Sequence, residues 1–319
     1  MRPPLPLAVP VAASAVRPQW SDLPGSVRSR VQDQLGSEIV AAVSQGSGFT
    51  PGFASRVRLA DGRRFFVKAA SSELDWLLTC YRDEAVKLAR IPAAVPAPRV
   101  QLVIDGPADG HDWLVLVFDD IDGHPPDRPW RLDQARSALR TATVLSQALT
   151  PAPAGGEWAE VVDELPGGST DWRTMHQLPE WADHVDELAD LADRSKVLLA
   201  GETLAHLDLR DDNLIIDAHG TAWVCDWNFP AVGPRWVDAV CLAISMYGDG
   251  HDVDALLAET GLIGRADGEG VDCLLAVLTA YCLREAAQPD NPTSPYLRAH
   301  QAWYATAAGG WLRDRRGWR

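Results

Sequence analysis

The sequence predicts an α+β chain in two unequal parts: a small antiparallel sheet with one main helix, then a larger, mainly helical part. Three observations predict this. Strand-like stretches with turn signals crowd into the first 120 residues, helical spacing dominates after them, and strands and helices do not alternate regularly. The last point excludes a doubly wound sheet or a barrel.

Residues 1–20, rich in Pro and Ala, read as a flexible leader, followed by an N-terminal part at 21–120 and a C-terminal part at 121–319. Val27, Val31 and Leu35 recur at four-residue steps, which is helical spacing. A glycine-bearing loop, SQGSGFTPG (Ser44–Gly52), then leads from helix to strand. In Ser55–Leu59, Val57 and Leu59 share one face and Arg56 and Arg58 the other; Asp61-Gly62 is a hairpin signal, and FFVKA (Phe65–Ala69) is the partner strand. Ser72 is a candidate cap for a helix carrying Leu74, Leu77, Leu78, Tyr81, Ala85 and Leu88, which ends before Pro92. Strands are expected at Arg99–Ile104 and Trp113–Phe118, with turns at Asp105-Gly106 and Asp109-Gly110. The polar break DDIDGHPP (Asp119–Pro126) marks the boundary. Beyond it, helical spacing covers Leu132–Leu149, Trp181–Ala192, Val237–Met246, Val253–Leu257 and Val271–Ala286. The exception is Asn213–Asp226, where LIID and AWVC flank a turn like a short hairpin.

Composition narrows the function classes. The 29 Lys+Arg against 44 Asp+Glu leave a net charge of −15, a poor match to nucleic acid or an anionic membrane, both negatively charged. No apolar run approaches the ~18 residues that a membrane span needs. The Pro-interrupted N-terminus makes a weak signal peptide, so the cytoplasm is the expected location. The five cysteines contain no CxxC pair and indicate neither a disulfide framework nor a zinc ribbon.

The densest polar cluster is HLDLRDDNLIID (His206–Asp217). Asp208 and Asn213 lie five apart on a loop, and the hairpin delivers Asp226 at its far end. Phosphoryl transfer from a nucleotide needs such a set. One carboxylate faces the attacking hydroxyl, while an amide and a second carboxylate offer hard oxygen ligands to a divalent metal on the phosphates. Turns and helix caps use the same residue types, so the pattern alone decides nothing. Lys68, inside an apolar strand, points either to solvent or to a buried anion. Glu84 on the next helix is its candidate partner, although Lys87 offers an ordinary helical pairing. The glycines at 46, 48 and 52 do not match GxGxxG spacing.

In their order along the chain, these pieces resemble the protein-kinase-like fold, and within it the aminoglycoside phosphotransferase family of small-molecule kinases. The matches are His206, Asp208 and Asn213, the Asp226-Trp227 pair, and RWVDAVCLA (Arg235–Ala243) with its Asp238. The resemblance spans roughly residues 40–300. It implies a catalytic role for Asp208, Mg²⁺ held by Asn213 and Asp226, and Lys68 on the phosphates of ATP or GTP with Glu84 as its partner. Backbone groups near Asp119 and Ile121 would read the base, Asp238 would brace the catalytic loop, and His206 would pack and hydrogen-bond. Leu207 departs from the family's usual glycine between the His and the Asp, which puts the conformation of that loop in question.

The implied reaction moves a γ-phosphate to a hydroxyl of a small molecule, with an aminoglycoside-like or other antibiotic as the first expectation. A metabolic kinase of a sugar or amino alcohol and a non-catalytic pseudokinase are the alternatives. Carboxylates crowd the stretch Glu157–Ala192: Asp163, Glu164, Asp171, Glu180, Asp183, Asp186, Glu187 and Asp190. Lining a cleft they would favour a cationic acceptor; as solvated helix faces, the weightier reading, they would not. Asp238 comes only twelve positions after Asp226, little room for a peptide-binding activation segment.

Overall fold

The computed structural model describes residues 2–7, 9–10, 14–165, 172–175 and 178–318. Helix α1 (Gly25–Leu35) opens the sheet-rich part, ending at Gly36 in the left-handed conformation (φ 69°) that glycine adopts without a Cβ clash. Five strands follow: β1 (Ile39–Ser44), β2 (Phe53–Leu59), β3 (Arg64–Ser71), then, after helix α2 (Asp75–Leu88), β4 (Val100–Ala108) and β5 (His111–Asp119). They form one antiparallel sheet in the order β1-β2-β3-β5-β4.

The two-residue period of a strand divides this sheet between two cores. Val57, Val67, Val115 and Val117 pack under Val27, Val31 and Leu35 of α1. Leu114, Leu116 and Phe118 face the other way, onto Leu77, Leu78, Tyr81 and Leu88 of α2, and that core runs on into the helical part. Lys68 has the parity of Phe66 and Ala70, so its side chain enters on the α2 side.

The second part begins with β6 (Gly123–His124) and α3 (Leu132–Ala148), followed by β7 (Ala159–Glu160), α4 (Val161–Glu164), α5 (Val185–Leu198) and β8 (Thr203–Ala205). Next come the hairpin β9 (Leu214–Asp217) and β10 (Ala222–Val224), then β11 (Ala231–Gly233). Helices α6 (Val237–Gly248), α7 (Val253–Thr260), α8 (Gly268–Ala286) and α9 (Leu297–Arg316) complete the chain. Two small sheets join these pieces, β10-β9-β6 and β7-β11-β8. Every residue of α6 is buried, as expected of a helix apolar on all sides that other elements surround.

The structure corrects the sequence reading at several points. The glycine-bearing loop joins two strands, β1 and β2, where a helix-to-strand connection was expected. Ser72 caps no helix: it opens a short 3₁₀ turn, and its hydroxyl accepts from Asp112 N–H at 3.2 Å. Asp105-Gly106 lies within β4, leaving Asp109-Gly110 as the hairpin turn. Helix α9 had no counterpart in the expected elements.

The leader, expected to be flexible, lies along the chain where it is described. Leu5 N–H donates to Gly248 O at 2.7 Å, Arg2 stacks on Tyr247, Ser14 is buried, and Val16 N–H donates to Thr293 O at 2.9 Å.

Candidate active site

Lys68, Glu84, Asn213 and Asp226 line one cleft between the sheet and the helical part; Asp208 is not among its lining residues and joins it through a hydrogen bond with Asn213. Lys68 extends from β3 toward α2, where its ammonium donates to both Glu84 oxygens at 2.8 Å and to Asp226 Oδ1 at 2.8 Å. Burial opposes its charge, but Asp226 and Glu84 outweigh burial and hold the ammonium protonated well above the usual lysine range. Burial pushes the Glu84 carboxyl up, and Lys68 offsets this only in part. Asp226 ends below the usual range: burial raises it, but Lys68 lowers it by charge and hydrogen bond, helped by His206 and Arg17. Of the two destinations open to a strand lysine, the structure selects the buried anion.

The loop from His206 to Asn213 runs between β8 and β9. His206 is buried, its Nε2 lies 2.9 Å from Cys225 O, and its ring meets Trp227 edge-on. Asp238, in the first turn of α6, accepts the backbone N–H of His206 on one oxygen and of Leu207 on the other, both at 2.9 Å. Burial pushes the Asp238 carboxyl up against these two bonds. Leu207 sits at φ 66°, a left-handed conformation that costs a non-glycine residue about 1–2 kcal/mol. The loop therefore keeps at Leu207 a backbone that glycine would adopt freely, and Asp238 holds it there.

Asp208 follows directly. Asn213 donates through Nδ2 to its backbone oxygen at 2.8 Å and to its Oδ2 at 3.1 Å. Arg210 clamps Asp208 Oδ1 and reaches Asp212 at 3.0 and 3.1 Å. Burial raises the Asp208 carboxyl to about 6, with Asp212 and Asp226 adding to the rise and Arg210 opposing it. A carboxyl raised to about 6 is suited to holding and accepting a hydroxyl proton.

Asn213 and Asp226 fit a divalent cation. Asn213 spends its amide N–H groups on Asp208 and keeps its oxygen, and Asp226 gives Oδ1 to Lys68, leaving its other oxygen. No group of three or more His, Cys, Asp or Glu side chains among the described residues has metal-binding geometry. Phosphate oxygens and water would have to complete the shell, the usual arrangement for Mg²⁺.

Asp119 and Ile121 both line the cleft. Their backbone is partly engaged: Asp119 N–H donates to Arg99 O at 3.0 Å, and Ile121 O accepts from Arg56 at 2.7 Å. Sequence reasoning passed over Arg210, although it lies two residues from Asp208, and passed over Arg17 and Arg56, which also line the cleft. The described carboxylates of Glu157–Ala192 line neither this cleft nor the pocket beside it, and Asp171 lies outside the described residues. Trp172 and Trp181 from that stretch are core residues in T-shaped contact, 5.4 Å between centroids.

The family model described as the phosphotransferase enzyme family matches residues 47–272, more than half of the chain. The chain belongs to that family. The fold of this phosphotransferase is the protein-kinase-like one of solved relatives of low identity. An aminoglycoside phosphotransferase from Alicyclobacillus acidocaldarius is 15% identical with a TM-score of 0.53, over 88% of this chain and 92% of that one. A thermostable mutant of aminoglycoside phosphotransferase APH(4)-Ia, in ternary complex with ADP and hygromycin B, is 14% identical with a TM-score of 0.58, covering 90% and 98%. The choline kinase LicA from Streptococcus pneumoniae is also 14% identical, with a TM-score of 0.57 and coverage of 90% and 98%. No curated protein matches the sequence. No helix among the described residues is long and apolar enough to cross a membrane.

Proposed function

We propose that this phosphotransferase moves the γ-phosphate of ATP or GTP to a hydroxyl of a small molecule. One observation carries the reading: Lys68, Glu84 and Asp226 form a bonded triad in the cleft that also holds Asn213, with Asp208 hydrogen-bonded to Asn213. In this reading residues 21–120 form the nucleotide-binding lobe, and residues 121–319 the catalytic and acceptor lobe. Lys68, held by Glu84, binds the nucleotide phosphates, and the backbone near Asp119 and Ile121 meets the base. Asp208 orients the acceptor hydroxyl and takes its proton as the oxygen attacks the γ-phosphorus and the bond to the nucleoside diphosphate breaks. Asn213 and Asp226 would hold Mg²⁺, whose chemistry is to neutralise charge on the phosphate oxygens.

The acceptor we favour is an antibiotic-sized hydroxyl compound of low positive charge. Carboxylates near Asp208 already hold guanidiniums: Asp208 and Asp212 with Arg210, Asp211 with Arg128 at 2.6 Å, and Glu285 with Arg284 at 3.1 Å. A polycationic aminoglycoside would have to displace those partners. The test is a mass-spectrometric screen with ATP, GTP and Mg²⁺ over macrolides, nucleoside and peptide antibiotics, aminoglycosides, sugars and amino alcohols, with Asp208→Asn in parallel. A product gaining one phosphate that is lost in the variant supports the reading. Transfer unaffected by Asp208→Asn refutes the role of Asp208, and efficient turnover of an aminoglycoside refutes the acceptor charge argued here.

A further inference from the structure

The cleft is short of usable positive charge for a ligand as anionic as a nucleoside triphosphate. Five carboxylates line it, Glu84, Asp119, Asp120, Asp212 and Asp226, against three cations, Arg17, Arg56 and Lys68. Two of the cations are already claimed. Lys68 is shared by Glu84 and Asp226 at 2.8 Å, and Arg56 lies 3.1 Å from Asp120.

Arg17 differs. Its hydrogen bonds go to backbone carbonyls: Nη1–H donates to Gly52 O at 3.2 Å and Nη2–H to Ser47 O at 2.9 Å, both on the glycine-bearing loop. Its Nε–H is buried with no partner among the described residues. A guanidinium has five N–H donors in a rigid planar fork, so donors remain after those two bonds. The charge reaches both Asp226, which lines the cleft, and the buried Tyr81 hydroxyl behind it.

The backbone around Arg17 is fixed from both sides. Ser14 donates from N–H to Gly46 O at 2.8 Å and from its hydroxyl to Gly48 O at 2.6 Å, and Val16 N–H bonds Thr293 O at 2.9 Å. The loop is shaped to admit the guanidinium: a Cβ at Gly48, where φ is 78°, would lie 3.1 Å from Arg17 Nη2. Arg17 lies ahead of residue 47, where the family match begins.

We propose that Arg17 is a phosphate-binding residue of the nucleotide site, contributed by the segment ahead of the first helix and directed at the terminal phosphates of the nucleoside triphosphate. The inference rests on the phosphotransfer reading above. The glycine-bearing loop and Arg17 then act as one unit, the loop's carbonyls orienting the guanidinium and its unspent donors taking phosphate oxygens.

The test is calorimetric binding of adenosine, ADP and the non-hydrolysable triphosphate AMP-PNP, with Mg²⁺, to the wild type, Arg17→Gln and Arg17→Lys. One charge-assisted contact is worth about tenfold or more in affinity. Arg17→Gln should therefore weaken AMP-PNP about 10- to 50-fold, ADP less, and adenosine under about twofold, with Arg17→Lys recovering part of the loss. Melting temperatures of both variants report folding separately. Equal weakening of all three ligands would mean a structural role and overturn the proposal, as would unchanged AMP-PNP binding. A wild type that binds adenosine, ADP and AMP-PNP alike would also overturn it while leaving a nucleotide site in place. A wild type that binds none of them, nor guanosine, GDP and GMP-PNP, overturns the phosphotransfer reading and this inference together.

Discussion

Replacing Asp238 with alanine should detach the His206–Asn213 loop from α6. Its carboxylate accepts two backbone N–H groups, from His206 and Leu207, each at 2.9 Å, and His206 is fully buried. Truncation leaves both donors unpaired, at about 1–3 kcal/mol each. Part of this returns, because Leu207, held at φ 66°, can relax and recover about 1–2 kcal/mol. The net expectation is a loss of about 3 kcal/mol of stability, together with a large fall in kcat as Asp208 loses its placement. Urea unfolding followed by tryptophan fluorescence measures the first quantity, and turnover on the acceptor found in the screen measures the second. A cycle with Leu207→Gly isolates the strain: glycine should help the wild type more than it helps Asp238→Ala, since the second loop has already relaxed. A stability loss below about 1 kcal/mol with kcat retained would refute the bracing argument.

Three other outcomes follow from the geometry. Since burial raises the Asp208 carboxyl to about 6, activity should climb with pH through that value and level off above it, because the ionised form is the one that accepts a proton. Arg210 opposes that rise, so Arg210→Gln should move the acid limb of the kcat/KM profile to higher pH; an unmoved limb would assign it to another group. Gly201→Ala should cost about 3 kcal/mol or more in urea unfolding, because its Cβ would fall 2.1 Å from the backbone oxygen of Gly233 in β11, and a cost near zero would show that β11 can give way.

The site was more legible in the sequence than the edges of the fold. The strand alternation around Lys68 and the helical spacing through Glu84 place those residues on facing elements, and the hairpin after Asn213 brings Asp226 back to them. Strand β1 escaped notice because it is an edge strand whose IVAAVS buries Ile39 and leaves the rest largely half-exposed, so no two-residue period develops. Helix α9 carries Gly309-Gly310 in its interior, a pair that more often marks a turn and weakens a helical pattern. Those glycines have a tertiary reason: a Cβ on Gly309 would lie 2.6 Å from the Trp181 ring, and one on Gly310 would lie 3.3 Å from Tyr247. Arg17 carried no local signal at all. Its role depends on a loop thirty residues away in sequence, and no spacing rule reaches that far.

The five thiols noted in the sequence have a chemical consequence of their own. All are unpaired, and burial pushes each one up, with Cys225 beside Asp226 at about 12. Oxidants and electrophiles attack the thiolate, so at neutral pH these sulfurs are poor targets even where one borders the cleft. The cleft can therefore keep Cys225 next to Asp226 without becoming sensitive to peroxide, and alkylating reagents should leave the folded protein largely unmarked until it unfolds.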